Sequence, residues 1–154
     1  MNMDYFPIQE RPVTLQCIVE SSIKREVPAN VMLALLETEG AAANTVKKNK
    51  DGSYDFGRWQ LNSVHLEDLK PYAPAEFVKY AWLHDGCYAT DMAAFLLQRC
   101  LRTYKSSDFY TRAACYHSKT PSKNAIYRAK LVPAAQRWAN WLSANYQVRI
   151  IANE

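Results

Sequence analysis

Two carboxylates stand two positions apart at the end of an apolar run, in Ala34-Leu35-Leu36-Glu37-Thr38-Glu39-Gly40. On a helical wheel Val31, Met32, Leu35 and Leu36 fall on one side, and Glu39 lies within that stripe. Glu37 points to nearly the opposite side. A carboxyl group among aliphatic side chains loses hydration of its charged form, so its pKa rises toward the range useful to a general acid. The helical phase therefore selects Glu39 for proton transfer and leaves Glu37 solvated. The same position also suits a residue at the core edge with its head group in water, so the helix alone does not decide between the two roles.

The next residues add chemistry of a definite kind. Gly40 is a helix stop, and a polar stretch then carries the turn signal Asp51-Gly52. Ser53, Tyr54, Phe56, Trp59, Gln60 and Asn62 supply a hydroxyl, aromatic faces and amides, a set suited to the apolar faces and the acetamido and hydroxyl groups of sugars. Gly57 would let backbone approach a ligand closely. Asp51 and Asp55 are the nearest second carboxylates. Asp55 is more simply read as a hydrogen-bonding residue that shapes the loop. The basic run Lys47-Lys48-Asn49-Lys50 reads as a solvated loop rather than a dedicated phosphate site.

The elements that must position these groups are helices nearly throughout. Thr14 caps a helix to about Arg25, with Leu15, Ile18, Val19 and Ile23 on one face, and Pro28 lies near the start of the helix that delivers Glu39. Ser63 caps a short helix through Leu69, and residues 75–83 form another. Asp85 opens a long helix to about Tyr104, with Ala89, Ala93, Leu96, Leu97 and Cys100 toward the core. Asp108 caps a segment leading to Cys115 and Tyr116. Ser122 starts a final helix carrying Tyr127, Leu131, Trp138 and Leu142, which Pro133 is expected to kink or divide. Any β-structure is confined to a small hairpin around Asp51-Gly52 within residues 40–62. The expected class is all-α.

With 154 residues, 49% of them apolar, and no repeat or low-complexity tract, the chain reads as one domain over residues 13–146. Residues 1–12 are an N-terminal extension and 147–154 a C-terminal tail. The formal charge of +4 is too small and too dispersed to indicate nucleic acid. His65, His84 and His117 are scattered and lack Cys or carboxylate partners at ligand spacing, so neither a metal site nor a cofactor is expected. Met1-Asn2-Met3-Asp4-Tyr5 lacks the basic start and apolar run of a signal peptide, and no later run is long enough to span a membrane.

Glu39-Gly40, the Asn49-Lys50-Asp51-Gly52-Ser53 turn, Asp55-Phe56-Gly57 and Gln60-Leu61-Asn62 form an ordered series, continued by Asp85-Gly86-Cys87 and by Tyr116-His117-Ser118-Lys119-Thr120-Pro121 with Asn124 and Tyr127. This series resembles the lytic transglycosylases of the soluble-lytic-transglycosylase domain family, above all the small single-domain members that accompany secretion, conjugation and pilus machines. It spans roughly residues 15 to 132.

The resemblance implies a lysozyme-like fold of the goose-type lysozyme kind, with Glu39 as the single acid/base. Gly57 and Gln60 would line the glycan groove, Tyr116 would be the tyrosine of the third motif, and Tyr127 the late tyrosine near the acid. Ser53, Trp59, Asn62 and His117 complete the expected substrate contacts. Gly40 stands where many members have Ser, Arg58-Trp59 where they have Leu-Met, and Cys115-Tyr116-His117 where they have Ala-Tyr-Asn. The implied substrate is peptidoglycan, cleaved between N-acetylmuramic acid and N-acetylglucosamine to leave a 1,6-anhydromuramoyl end.

That substrate implies action in the periplasm, on glycan strands, beside secretion, conjugation or pilus components. The resemblance also implies a disulfide between Cys17 and Cys87, with Cys100 and Cys115 either a second pair or buried free thiols. Three other readings stand beside it. One is a lysozyme-type hydrolase in which Asp55 activates water; another is a glycan-binding assembly factor with little catalysis. The last, a basic helical nucleic-acid-binding protein, lacks a recognition helix rich in Lys and Arg.

Overall fold

Thr14 is where the extended lead-in becomes helix. Its hydroxyl accepts the Cys17 backbone N–H while its own N–H donates to Cys17 Sγ, a reciprocal cap that starts α1 (Leu15–Arg25). Glu26 ends α1 in the left-handed region, and Pro28 leads into α2 (Ala29–Glu39), whose residues 29–35 are all buried. Gly40 adopts φ 63°, a conformation that favours glycine, and stops the helix immediately after Glu39. The acid therefore sits on the last helical residue, at the edge of the adjoining loop. The structure, a computed structural model, describes residues 10–105 and 107–146. The tail 147–154 and residues 1–9 of the extension lie outside the described residues.

The expected hairpin is a three-stranded antiparallel sheet in the order β1 (Val46–Lys48), β2 (Tyr54–Phe56) and β3 (Leu61–Asn62). Lys47 pairs with Asp55, and Asp55 with Asn62, so these three side chains form one row across a single face. Asn62, rather than Ser63, caps the 3-10 turn Ser63–His65: its side-chain oxygen accepts the Val64 N–H. Then come α3 (Leu66–Leu69), α4 (Ala75–His84) and α5 (Gly86–Thr103). The Asp85 carboxylate caps α5 on the N–H groups of Cys87 and Tyr88 and takes two hydrogen bonds from Arg11. Arg11 also donates its N–H to the His84 carbonyl and accepts from Gly86, which ties the described end of the extension to the body.

Asp108 caps α6 (Phe109–Ala113), a 3-10 turn covers Ala114–Tyr116, and α7 (Pro121–Asn145) closes the chain. Thr120 precedes α7, with Pro121 as its first residue, one position before the expected start. The helix runs through Pro133 without division. Ile18 is buried as expected, but Ile23, expected on the same inner face of α1, is exposed, and Cys17, Ser21 and Ser22 face inward beside Ile18.

α2 packs chiefly against α7, and α1 against α5. Val31, Met32 and Leu35 from α2, Leu97 from α5 and Leu131 and Leu142 from α7 have no more than about a hundredth of their surface left in water. Truncating one such Leu to Ala costs roughly 2–5 kcal/mol. This packing brings the last turn of α2 against the first half of α7. The architecture is mostly helical and lysozyme-like, with a small sheet beside the acid-bearing helix. Among the described residues no helix is long and apolar enough to cross a membrane.

Of the expected cysteine pairings, Cys17–Cys87 does not form and Cys100–Cys115 does. The cross-link joins Cys100 on α5 to Cys115 in the second 3-10 turn, with Cα atoms 5.8 Å apart, while Cys17 and Cys87 are thiols. The sulfur of Cys17 is engaged in the α1 cap, donating to the Thr14 carbonyl and to Thr90 Oγ1. Burial, reinforced by a hydrogen bond to Cys17, pushes the Cys87 thiol up to about 11. Burial acts the same way on Cys17, but hydrogen bonds from Cys87 and Thr14 outweigh it and bring that thiol below its usual value.

Candidate active site

Glu39 projects from the end of α2 into a cleft of about 1140 Å³ between the sheet and the α5 and α7 sides of the molecule. The Tyr127 hydroxyl, on the buried face of α7, donates to Glu39 Oε2 at 2.6 Å across 88 residues of sequence. Burial raises the Glu39 pKa above the ordinary carboxylate value. The Tyr127 hydrogen bond pulls the other way, the Asp55 charge adds to the rise, and Lys47 opposes it. Burial and the Glu39 charge together keep the Tyr127 phenol protonated, so it remains a donor. The result is a protonatable carboxyl held in one orientation by a neutral donor.

His117 stacks on Tyr127, its ring parallel to the phenol at 4.6 Å between centroids. His117 lines the cleft, and burial lowers its pKa and favours the neutral ring. Tyr116 lines the same space, and its hydroxyl donates to the Trp59 carbonyl at 2.6 Å. Cys115, directly before Tyr116 in the sequence, is bonded to Cys100, and this disulfide anchors the turn to α5.

The sheet forms the facing wall. Asn62 donates to Asp55 Oδ1 at 2.9 Å and to Ser53 Oγ at 3.1 Å, and Ser53 donates to Asp51 Oδ1. Ser53, Asp55 and Asn62 all line the cleft, and Asp55 has the loop-shaping bond that its sequence position suggested. Gln60 lines it too, in the left-handed region at φ 51°, with its side-chain amide donating to the Gly57 carbonyl.

Two expected contacts belong elsewhere. Trp59 is 1% exposed and packs in the core; its indole N–H donates to Thr90 Oγ1 on α5 at 2.9 Å. It holds the loop from beneath and offers no face to a sugar. Gly57 serves close approach to protein rather than to ligand. A Cβ there would stand 2.8 Å from the Trp82 carbonyl, and φ 71° again favours glycine.

The cleft also has residues that the spacing did not single out. His65, Asp68 and Arg99 gather at one end, with Arg99 3.6 Å from Asp68 and 3.5 Å from the His65 ring. Lys119 sits over the Tyr104 ring at 5.6 Å. Arg99 and His65 come from different helical segments, and only the fold brings them together. Among the described residues, no group of three or more His, Cys, Asp or Glu side chains could hold a metal ion.

Neither a protein-family model nor a solved structure matches the chain. Its sequence is similar to that of Invasion protein IagB from Salmonella typhimurium, strains SL1344 and LT2, and from Salmonella typhi. Identity is 25% over 126 residues, covering 81% of this chain and 74% of each relative.

Proposed function

We propose that the protein is a peptidoglycan lytic transglycosylase with Glu39 as its single acid/base. The observation that carries this reading is the desolvated Glu39 carboxyl, held by Tyr127 in a polar cleft. The cleft, at about 1140 Å³, is open and long enough in its lining to run from the sheet to α5 and α7, which suits a polymer substrate. Protonated Glu39 gives its proton to the oxygen linking muramoyl C1 to N-acetylglucosamine as that bond breaks and positive charge develops on the muramoyl ring. The muramoyl 6-hydroxyl then bonds to C1 and returns its proton to the Glu39 carboxylate. Because the nucleophile belongs to the substrate, no second carboxylate is needed. Asp55 is committed to Asn62, which supports this route over water activation.

The similarity to proteins named for invasion supports a role at the bacterial envelope. In this reading the chain opens the wall locally, in the periplasm, for a secretion, conjugation or pilus apparatus. A second reading rests on Asp55, which lines the cleft and whose charge raises the Glu39 pKa: with Asp55 as base, the enzyme would hydrolyse the same bond.

Digestion of purified sacculi, with mass spectrometry of the soluble products, tests both. Anhydromuramoyl ends from the wild type and none from Glu39→Gln are expected. Reducing ends would favour hydrolysis, binding without release would make the protein a glycan-binding factor, and equal release by the variant would remove Glu39 from the chemistry.

A further inference from the structure

The cleft is lined by five cationic side chains and five acidic ones, but most of the cations are not paired with them. At one end Arg99 stands beside Asp68. Elsewhere four cleft lysines have no carboxylate within ion-pair distance among the described residues: Lys47 on β1, Lys50 in the β1–β2 turn, Lys119 before α7 and Lys123 in its first turn. Two come from the sheet wall and two from the α7 side, and all four are exposed.

Their placement makes them one group around the acid. Lys47 shares its row of the sheet with Asp55 and Asn62, which line the cleft, and its charge reaches Glu39. Lys47 and Lys123 both act on His117 from opposite walls, and Lys123 also acts on Asp51 in the β1–β2 turn. Lys119 is steadied over the Tyr104 ring. Ammonium groups left unpaired around a groove attract anionic groups on whatever lies in it.

A sugar backbone of N-acetylglucosamine offers them hydroxyls and acetamido carbonyls but no negative charge. The muramoyl lactyl arm does, because the stem peptide it bears carries free carboxylates. We propose that Lys47, Lys50, Lys119 and Lys123 form a subsite for stem-peptide carboxylates, so that the cleft selects peptide-bearing strands by their charge. This inference rests on the peptidoglycan reading and adds the part of the substrate that is recognised.

Binding of Glu39→Gln protein to soluble peptidoglycan strands, measured by titration calorimetry, tests the subsite without turnover. The comparison ligand is the same strands with their stem carboxylates converted to carboxamides. Native strands should bind at least about fivefold tighter, the scale of a few exposed ion pairs, and the advantage should shrink as salt rises. Adding Lys119→Gln and Lys123→Gln should remove most of the advantage, and replacing all four lysines should abolish it.

Equal binding of native and amidated strands would overturn the proposal, as would an advantage that survives in both lysine variants. Failure to bind either strand would also overturn it, and the products of the wild type then report separately on the catalytic reading. Conversely, charge-selective binding with no anhydromuramoyl product would leave the subsite standing and remove the lyase.

Discussion

Glu37 and Glu39 leave the same turn of α2, and both are held by α7, yet their partners differ in kind. Glu39 takes a hydrogen bond from a neutral phenol in a desolvated pocket. Glu37 takes two from the Arg137 guanidinium, at 3.2 and 2.9 Å, in solvent. The guanidinium is a permanent charge that pairs with Glu37 through two parallel hydrogen bonds. The phenol orients the group without supplying a full charge, so burial prevails and the Glu39 pKa lies above the ordinary carboxylate value. Two residues of helical phase thus separate a proton donor from a surface ion pair.

The largest effect expected from this contrast is on activity. Glu39→Gln should lower release of soluble muropeptides by about 10²–10⁴-fold, the range of a positioned general acid, while Glu37→Gln stays within about twofold of wild type. Comparable losses in the two variants would break the comparison. Replacing Cys100 and Cys115 with Ser should lower stability by about 3 kcal/mol for a loop of this length, measured by urea unfolding. Loss of activity below the unfolding midpoint would show that the Tyr116 turn depends on the cross-link, whereas an unchanged midpoint would remove the disulfide from the stability of the site.

Tyr127→Phe should reduce kcat roughly 10- to 100-fold, the equivalent of a hydrogen bond to a charged group. It should also move the alkaline limb of the pH profile upward, because the lost bond had lowered the Glu39 pKa; Asp55→Asn should move it downward. Shifts of the same sign in the two variants would contradict the assignment. The smallest effect concerns stability against pH. A carboxyl with a raised folded pKa contributes stability that is present below the unfolded value and lost as pH rises through the folded one. Glu39→Gln should therefore melt higher than wild type at neutral pH, with the difference closing toward acid, and Glu37→Gln should melt slightly lower. Calorimetry across pH would read both signs.

Local rules made much of this legible. The apolar stripe of α2 separated Glu39 from Glu37, and Thr14, Asp85 and Asp108 cap the helices as their types suggest. Contacts distant in sequence were not readable in the same way. Trp59 looks like a sugar platform in its loop, and only the presence of Thr90 beneath it, 31 residues away, turns it inward. Gly57 looks like a ligand contact until the Trp82 carbonyl fills the space beside it. Cysteine pairing depends on which helix ends meet, and α5 meets the turn before Tyr116 while Cys17 remains in its cap. The bond between Tyr127 and Glu39 came only through resemblance, since no local pattern links residues 88 positions apart.

The parallel stack of His117 on Tyr127 has a spectroscopic consequence. An imidazole whose centroid is 4.6 Å from the phenol, with planes 4° apart, lies in the shielding region of that ring. Its carbon-bound protons should resonate upfield of free histidine. A ligand that displaces the imidazole would return them downfield, giving a magnetic-resonance signal for occupancy next to the acid with no bond broken.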